Sequence, residues 1–389
     1  MNIKRVLITG GRAPVALELA RLFQKEGISV QMAESFPYAL SKSSKKIDKW
    51  HVVAQPKQAF SQFIADLTRI VIDEKIDLLL PTCEEVFYIA KGREKLSPYT
   101  TVFADEPGKL RVLHDKAAFV ELLSQLQLPH PHSVKVTSTA EWNDIVSSFS
   151  DDVRFVAKPV FSRFASHVQI GTKNDLLPGI QPTEEYPWLV QEYLEGQQLC
   201  TFSIARNGRL GAHVAYPTKF TAGKGATIAF QNVQEPDAKR IVEEIVASLD
   251  FTGMISFDFI KTANGLIPIE CNPRATSGLH LFLNEPISRA FAGGQPDICL
   301  EPAGVNQRML GLAMLLYGLP AVRSLSEFTS WFSTFRQSSD VIWQNDDFAP
   351  FAYQFISYWK MIMLAKKQNI SPLEASTWDI EWNGGEDSE

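Results

Sequence analysis

Between residues 256 and 278 the chain reads SFDFIKTANGLIPIECNPRATSG, and four of these residues could do chemistry together: Asp258, Glu270, Asn272 and Arg274. Strand side chains alternate between faces. Ile267, Ile269 and Cys271 are therefore expected on one face, with Pro268, Glu270 and Asn272 on the other. Burying a carboxylate or an amide without partners costs roughly 2–7 kcal/mol, so packing alone gives no reason to line them up. Two strands flank Ala263-Asn264-Gly265. A two-residue Asn-Gly loop would set Asp258 opposite Cys271, away from Glu270. A three-residue loop with Gly265 in the left-handed region sets Asp258 opposite Glu270 instead. We expect the second register, which gathers Asp258, Glu270 and Asn272 on one face. Two carboxylates and an amide oxygen are hard ligands, suited to Mg²⁺ shared with substrate phosphates. Arg274 adds a planar guanidinium that fits phosphate or carboxylate oxygens. A surface hairpin with solvated acids would explain Asp258 alone, but the hairpin combined with E-x-N-P-R is more specific.

The elements that must position these residues begin with KRVLITGG, an apolar run ending in Gly10-Gly11. A helical period over PVALELARLFQKEG and a further strand at ISVQMAES follow. IDLLLPTCEEV repeats the theme. Alternating strands and helices imply a parallel doubly wound sheet over residues 1–110, with ligand candidates at its carboxyl edge: Gly10–Pro14, Ser35 and Thr82–Glu85. The glycine spacing is not GxGxxG, so a dinucleotide site is disfavoured. From Asp105 the texture changes. HDKAAFVELLSQLQLPHPHS reads as a helix ended by prolines. RFVAKPV, WLVQEYLEG, CTFSIARNGRLGAHVAY and the opening hairpin read as strands of antiparallel sheets. Beyond about Pro302 apolar helices dominate, and the acidic tail GGEDSE is expected to fray. Phe351, Phe355, Tyr358 and Trp359 form a helical stripe, read as core or a dimer contact.

On Asp258, the hairpin and E-x-N-P-R, the chain resembles the ATP-grasp superfamily, of the carboxylate–amine ligase type and close in character to carbamoyl-phosphate-synthetase-like members. The resemblance covers residues 1–300. It implies an α/β plus α+β architecture: an N-terminal parallel domain (1–110), one lobe at 111–190, a second lobe with the magnesium site at 191–300 and a mostly helical region at 301–389. It implies that Asp258, Glu270 and Asn272 hold metal and that Arg274 clamps phosphate or substrate. Lys116 in HDKAAF and Lys158 in VAKPV match the lysines that touch nucleotide phosphates. LVQEYLEG matches the hinge, where Gln191 lies and where backbone groups of Glu192, Tyr193 and Leu194 would read adenine. Gln198 stands where most relatives have a glutamate for the ribose hydroxyls, and an amide makes the same bonds without charge. The loop after the lysine strand departs further. FSRFASHVQIG has no glycine before Gly171 to let backbone amides fold over phosphates, leaving Ser162, Arg163, Ser166 and His167 as substitutes. Lys219 and Lys224, in TKFTAGKGAT, are further candidates for phosphate or an acidic substrate.

The implied activity is ATP-dependent activation of a small-molecule carboxylate as an acylphosphate and its capture by an amine. ATP and two Mg²⁺ ions, with Mn²⁺ as a substitute, are the implied cofactors. Two other classes stay open: a nucleotide-binding protein without ligase chemistry, and a bicarbonate-using carboxylase-like enzyme. No Ser-His-Asp or Cys-His arrangement is suggested by position. His280, just after the metal strand, could face substrate or core, and Cys271 is read as packing. The 389 residues exceed one core and fit two or three domains, and a net charge of −6 argues against nucleic acid as a partner. Four dispersed cysteines without a CxxC pair read as reduced thiols. No segment reads as a signal peptide or bilayer span, so a soluble cytoplasmic protein without a membrane partner, and plausibly a homodimer, is expected.

Overall fold

The computed structural model describes residues 2–162, 167–175, 179–223, 225–292 and 298–385. Arg163, Ser166 and Lys224 lie outside them, as does the end of the tail.

The chain opens with five strands: β1 (Arg5–Thr9), β2 (Ser29–Glu34), β3 (Lys49–Val52), β4 (Leu78–Leu80) and β5 (Thr101–Val102). They form one parallel sheet ordered β3-β2-β1-β4-β5. Val6, Leu7 and Ile8 are all fully buried, because helices cover both faces of such a sheet and alternation disappears. The strand order reverses between β1 and β4, and the crevice above that point is where open parallel sheets bind ligands. Gly10 sits there with φ of 77°, and a Cβ on it would fall 2.5 Å from Thr82 Oγ1. No other residue fits so close an approach in the left-handed region.

Four strands follow: β6 (Ser133–Val136), β7 (Phe155–Pro159), β8 (Gln169–Gly171) and β9 (Trp188–Glu192). They pair antiparallel in the order β6-β9-β7-β8. Next come the long β10 (Gln197–Arg206) and β11 (Arg209–Pro217), the short β12 (Thr221–Ala222), β13 (Ala226–Thr227) and β14 (Ala229–Gln231), and the hairpin β15 (Gly253–Thr262) and β16 (Gly265–Asn272). The long strands form an antiparallel sheet, β11-β10-β15-β16. The β10–β11 turn is Asn207-Gly208, with φ of 48° and 70°. Both residues of a type I′ turn need that region, which is why Asn-Gly makes a tight hairpin.

The C-terminal region carries the helices Leu325–Gln337 and Ala349–Gln368. It also contributes β17 (Gln307–Met309) and β18 (Ser339–Asp340), which extend β14 into a further sheet of mixed direction. The aromatic stripe is not core: Phe351 packs on Trp343 with centroids 4.7 Å apart, but Phe355, Tyr358 and Trp359 are 41–55% exposed. That helix lies on the surface with a second apolar face turned outward. Most of the tail expected to fray, 386–389, lies outside the described residues, and its first residue, Gly384, lies against the Phe161 ring. Among the described residues no helix is long and apolar enough to cross a membrane. All four cysteines are free thiols.

Candidate active site

Strands β15 and β16 pair with Thr262 opposite Gly265, so the connecting loop is the two residues Ala263-Asn264. The register slips once: Phe259 faces Pro268, Asp258 faces Glu270, and Ile269 is the extra residue of a β-bulge. The pairing of Asp258 with Glu270 is as expected, but a bulge creates it rather than a three-residue loop. The bulge also revises the expected faces. Leu266, Pro268 and Cys271 are buried, while Ile267, Ile269, Glu270 and Asn272 are half-buried. One extra residue moves Pro268 to the side of Cys271 and away from Glu270. Phe257 and Phe259, fully buried with Leu266 and Cys271 in one cluster, anchor that side.

Cations ring the acid pair. Lys116 Nζ lies 3.7 Å from Glu270 Oε1 and donates to the carbonyls of Ser162 at 3.2 Å and Val160 at 3.4 Å. Lys158 Nζ donates to the carbonyl of the bulged Ile269 at 3.3 Å. Both lysines are buried. Burial brings the Lys158 amine down to about 8, against the pull of Glu270 and Asp258. Burial first, and the Glu270 charge second, push the Asp258 carboxyl up to about 6. Cys200 stands opposite Asp258 on the neighbouring strand. Burial, then the Asp258 charge, hold its thiol well above the ordinary range, so it is a neutral neighbour and no nucleophile. Arg274 donates to Asn272 Oδ1 at 3.2 Å and to the Ala275 carbonyl at 3.3 Å. Its Nε lies 4.0 Å from Glu84 Oε1, on the loop after β4.

Two repelling carboxylates with an amide oxygen alongside make a donor set that a divalent cation would relieve. Among the described residues no cluster of three or more His, Cys, Asp or Glu side chains forms a closed metal cage. Mg²⁺ takes few protein ligands and completes its shell with waters and substrate phosphates. The residues present fit that ion.

Along β7 and β9, Val156 pairs with Gln191 and Lys158 with Leu189, so Gln191 and Lys158 share a face. Gln191 is buried, and its Oε1 lacks a hydrogen-bond partner among the described residues. Glu192 spends its backbone N–H on the His132 carbonyl at 2.9 Å. Backbone donors for a base edge are thus left to later hinge residues, because β6 pairs along β9. The Tyr193 ring lies 4.0 Å from the Arg154 guanidinium, and Leu194 is half-buried. Gln198 is half-buried on the same face of β10 as Cys200, and so on the Asp258 face.

Other candidates fall elsewhere. Lys219 donates to Thr334 Oγ1 at 3.2 Å and so points to the helix Leu325–Gln337. His280 is buried against Glu18 at 3.1 Å, a core contact with the first helix. Ser35 bonds Asp379 at 2.7 Å. Sequence reasoning missed Cys200 and Asp379, while Glu84 lies within the expected Thr82–Glu85 candidates. Only the first left a signal, since QLCTFSIA alternates and could pair with SFDFI.

The chain is similar to known proteins in part of its sequence and in its fold. Residues 113–278 match the family model of the ATP-grasp domain. Over 195 residues the chain is 27% identical to the Multifunctional protein URA2 of Saccharomyces cerevisiae, a stretch that is 45% of this chain and 8% of that protein. The chain therefore spans less than a tenth of that relative. N5-carboxyaminoimidazole synthetase from Staphylococcus aureus, solved with ADP, superposes with a TM-score of 0.63 at 14% identity over 82% of this chain and 85% of that one. The biotin carboxylase domain dimer of the Hydrogenobacter thermophilus 2-oxoglutarate carboxylase, solved with MgADP, ADP and bicarbonate, gives 0.62 at 13% identity over 79% and 74%. Identities this low speak for the fold, and the match to the ATP-grasp domain model covers residues 113–278, less than half of the chain.

Proposed function

We propose that the protein is an ATP-dependent ligase that activates a substrate carboxylate as an acylphosphate and joins it to an amine. The observation that carries this reading is the Asp258–Glu270 pair in register beside Asn272, ringed by Lys116, Lys158 and Arg274. Asp258, Glu270 and Asn272 would hold Mg²⁺, two ions in the full reading with Mn²⁺ able to substitute, and bound metal would neutralise the β- and γ-phosphates. Lys116 and Lys158 meet phosphate oxygens as ammonium groups in a poorly hydrated wall, where charge acts strongly. Gln191, Glu192, Tyr193, Leu194 and Gln198 line the nucleoside side.

The reaction balances without a protein nucleophile. A carboxylate oxygen attacks the γ-phosphorus and ADP leaves. The amine nitrogen then attacks the acyl carbon, gives up a proton, and phosphate leaves. Arg274 offsets charge on the oxygens in both steps. The four-part division at residues 110, 190 and 300, a cytoplasmic location and a homodimer belong to the same proposal. A second reading, with bicarbonate as the carboxylate, is favoured by the likeness to a carboxylase domain solved with bicarbonate.

The test is calorimetric titration of ADP with and without Mg²⁺, followed by a screen of acid–amine pairs for ADP release. Mg²⁺-dependent binding and release that needs both acid and amine are expected. Release with bicarbonate alone would select the second reading. Failure of well-folded protein to bind Mg-ADP would overturn both and leave a nucleotide-free scaffold.

A further inference from the structure

The last described residues run as a strap over the carboxyl edge of the parallel sheet. Asp379 is buried, with its carboxylate on Arg12 at 3.0 Å and on Ser35 Oγ at 2.7 Å. The Trp382 ring stacks on Phe87 at 4.7 Å and 14° and meets Phe161 edge-on at 5.7 Å. A Cβ on Gly384 would come within 2.4 Å of that same Phe161 ring. Phe161 lies two residues beyond the strand that carries Lys158. Trp382 N–H donates to Glu84 Oε2 at 3.3 Å, and the other oxygen of Glu84 faces Arg274 Nε at 4.0 Å. One buried carboxylate therefore stands between the strap and the arginine at the edge of the metal site.

Building on the ligase reading, we propose that Glu84 is a positioning residue for Arg274 and that the strap Asp379–Gly384 is the wall that holds Glu84 in place. An arginine side chain carries about 2 kcal/mol of rotamer entropy, and a clamp that must meet a substrate oxygen works best with that cost already met. The guanidinium has five donors in a fixed fork. Ala275 and Asn272 each take one N–H, at Nη1 and Nη2, and Glu84 faces Nε as an ion pair at 4.0 Å. The rest of the fork is left for an anionic oxygen, a carboxylate or a phosphate. Because Glu84 belongs to the sheet and Arg274 to the hairpin, the contact also references the clamp to the crevice at the sheet's switch point. The strap locks that reference from outside.

The experiment follows the Arg274 Nε–H resonance in full-length ¹⁵N-labelled protein, assigned with Arg274→Lys, in wild type, Glu84→Gln and Asp379→Asn. Glu84→Gln is isosteric and keeps an acceptor for Trp382 N–H. Asp379→Asn loosens the strap without touching Arg274. We expect Nε–H exchange with water to accelerate at least tenfold in Glu84→Gln and to rise in Asp379→Asn. ADP release should fall at least fivefold in both, with Mg-ADP affinity within twofold of wild type. Unchanged exchange in folded Glu84→Gln would overturn the proposal. If wild type failed to bind Mg-ADP while exchange still accelerated, the ligase reading would fall and the positioning role would stand.

Discussion

Asp258 and Glu270 face each other across an antiparallel pair because Ile269, one residue before the glutamate, is squeezed out of the ladder. The carbonyl of that same residue receives Lys158 from the opposite lobe at 3.3 Å. A single irregularity thus sets the acid pair and ties the Lys158 ammonium to the same strand. Bulges re-aim side chains in this way near active sites.

Glu270→Gln should therefore fold like wild type and lose binding. The amide keeps the shape, removes the like charge facing Asp258, and leaves Lys116 without its 3.7 Å partner. Mg-ADP affinity is expected to drop at least tenfold, about 1.4 kcal/mol, with the thermal midpoint unchanged or slightly raised. Calorimetry and a melt on the same sample check it. Wild-type affinity in the variant would remove Glu270 from the metal site.

The two perturbed groups predict a pH window. Asp258, pushed up to about 6 by burial and Glu270, keeps its proton where the unfolded chain has lost it. The stability this provides is present below about pH 4 and lost as pH rises toward 6. Metal needs the ionised form, so Mg-ADP affinity should climb over the same range. Lys158, brought down to about 8 mainly by burial, loses its charge above that pH. Affinity should then decline, while the stability penalty of burying that charge disappears between about 8 and 10. Titrations from pH 5 to 9 should give a maximum between 6 and 8. Asp258→Asn should flatten the acid limb and Lys158→Arg the alkaline one. A flat wild-type profile would contradict both assignments.

Much of this site was legible because its signals are local. Strand alternation and an Asn-Gly turn lie within about twenty residues of SFDFIKTANGLIPIECN, and the acid pair could be placed even though the bulge could not. A bulge leaves no trace in the hydrophobic pattern until Pro268 is seen buried beside Cys271. The parallel sheet was legible for the same reason, since VLIT and LLL are continuous apolar runs. Asp379 was not. In STWDIEWNGG nothing marks it, and its partner Arg12 lies more than 360 residues earlier. Pairings between distant polar residues have no period to reveal them. Core and dimer contact stayed open for Tyr358 and Trp359 because helical spacing tells which residues share a face, not what covers that face, and their exposure excludes only the core.

Gly196 carries a prediction about the hinge. A Cβ there would fall 2.3 Å from the Lys261 carbonyl oxygen, a backbone atom of the β15–β16 hairpin that cannot rotate aside. Gly196→Ala should push β10 and β15 apart near Gln198. Mg-ADP affinity is expected to weaken several-fold, with a lower melting midpoint. An alanine variant indistinguishable from wild type in both would mean that the hinge tolerates the shift.

The last prediction concerns how the C-terminal region is held to the parallel domain. Arg21, 1% exposed, donates to Asp347 Oδ2 at 3.0 Å and to the carbonyls of Val341 and Ile342 at 2.8 and 2.9 Å. Asp347 also accepts from Ser44 Oγ at 2.7 Å and from Lys45 N–H at 3.1 Å. Arg21→Ala strands a buried carboxylate and two carbonyls, a loss of about 3–5 kcal/mol for this kind of pair. Asp347→Asn in the same chain removes the stranded charge, so the double variant should lose less than the sum of the two singles. Denaturant unfolding of the four proteins measures the coupling. Strict additivity would mean that Arg21 acts through its carbonyl bonds alone, and that the ion pair contributes nothing to joining the two regions.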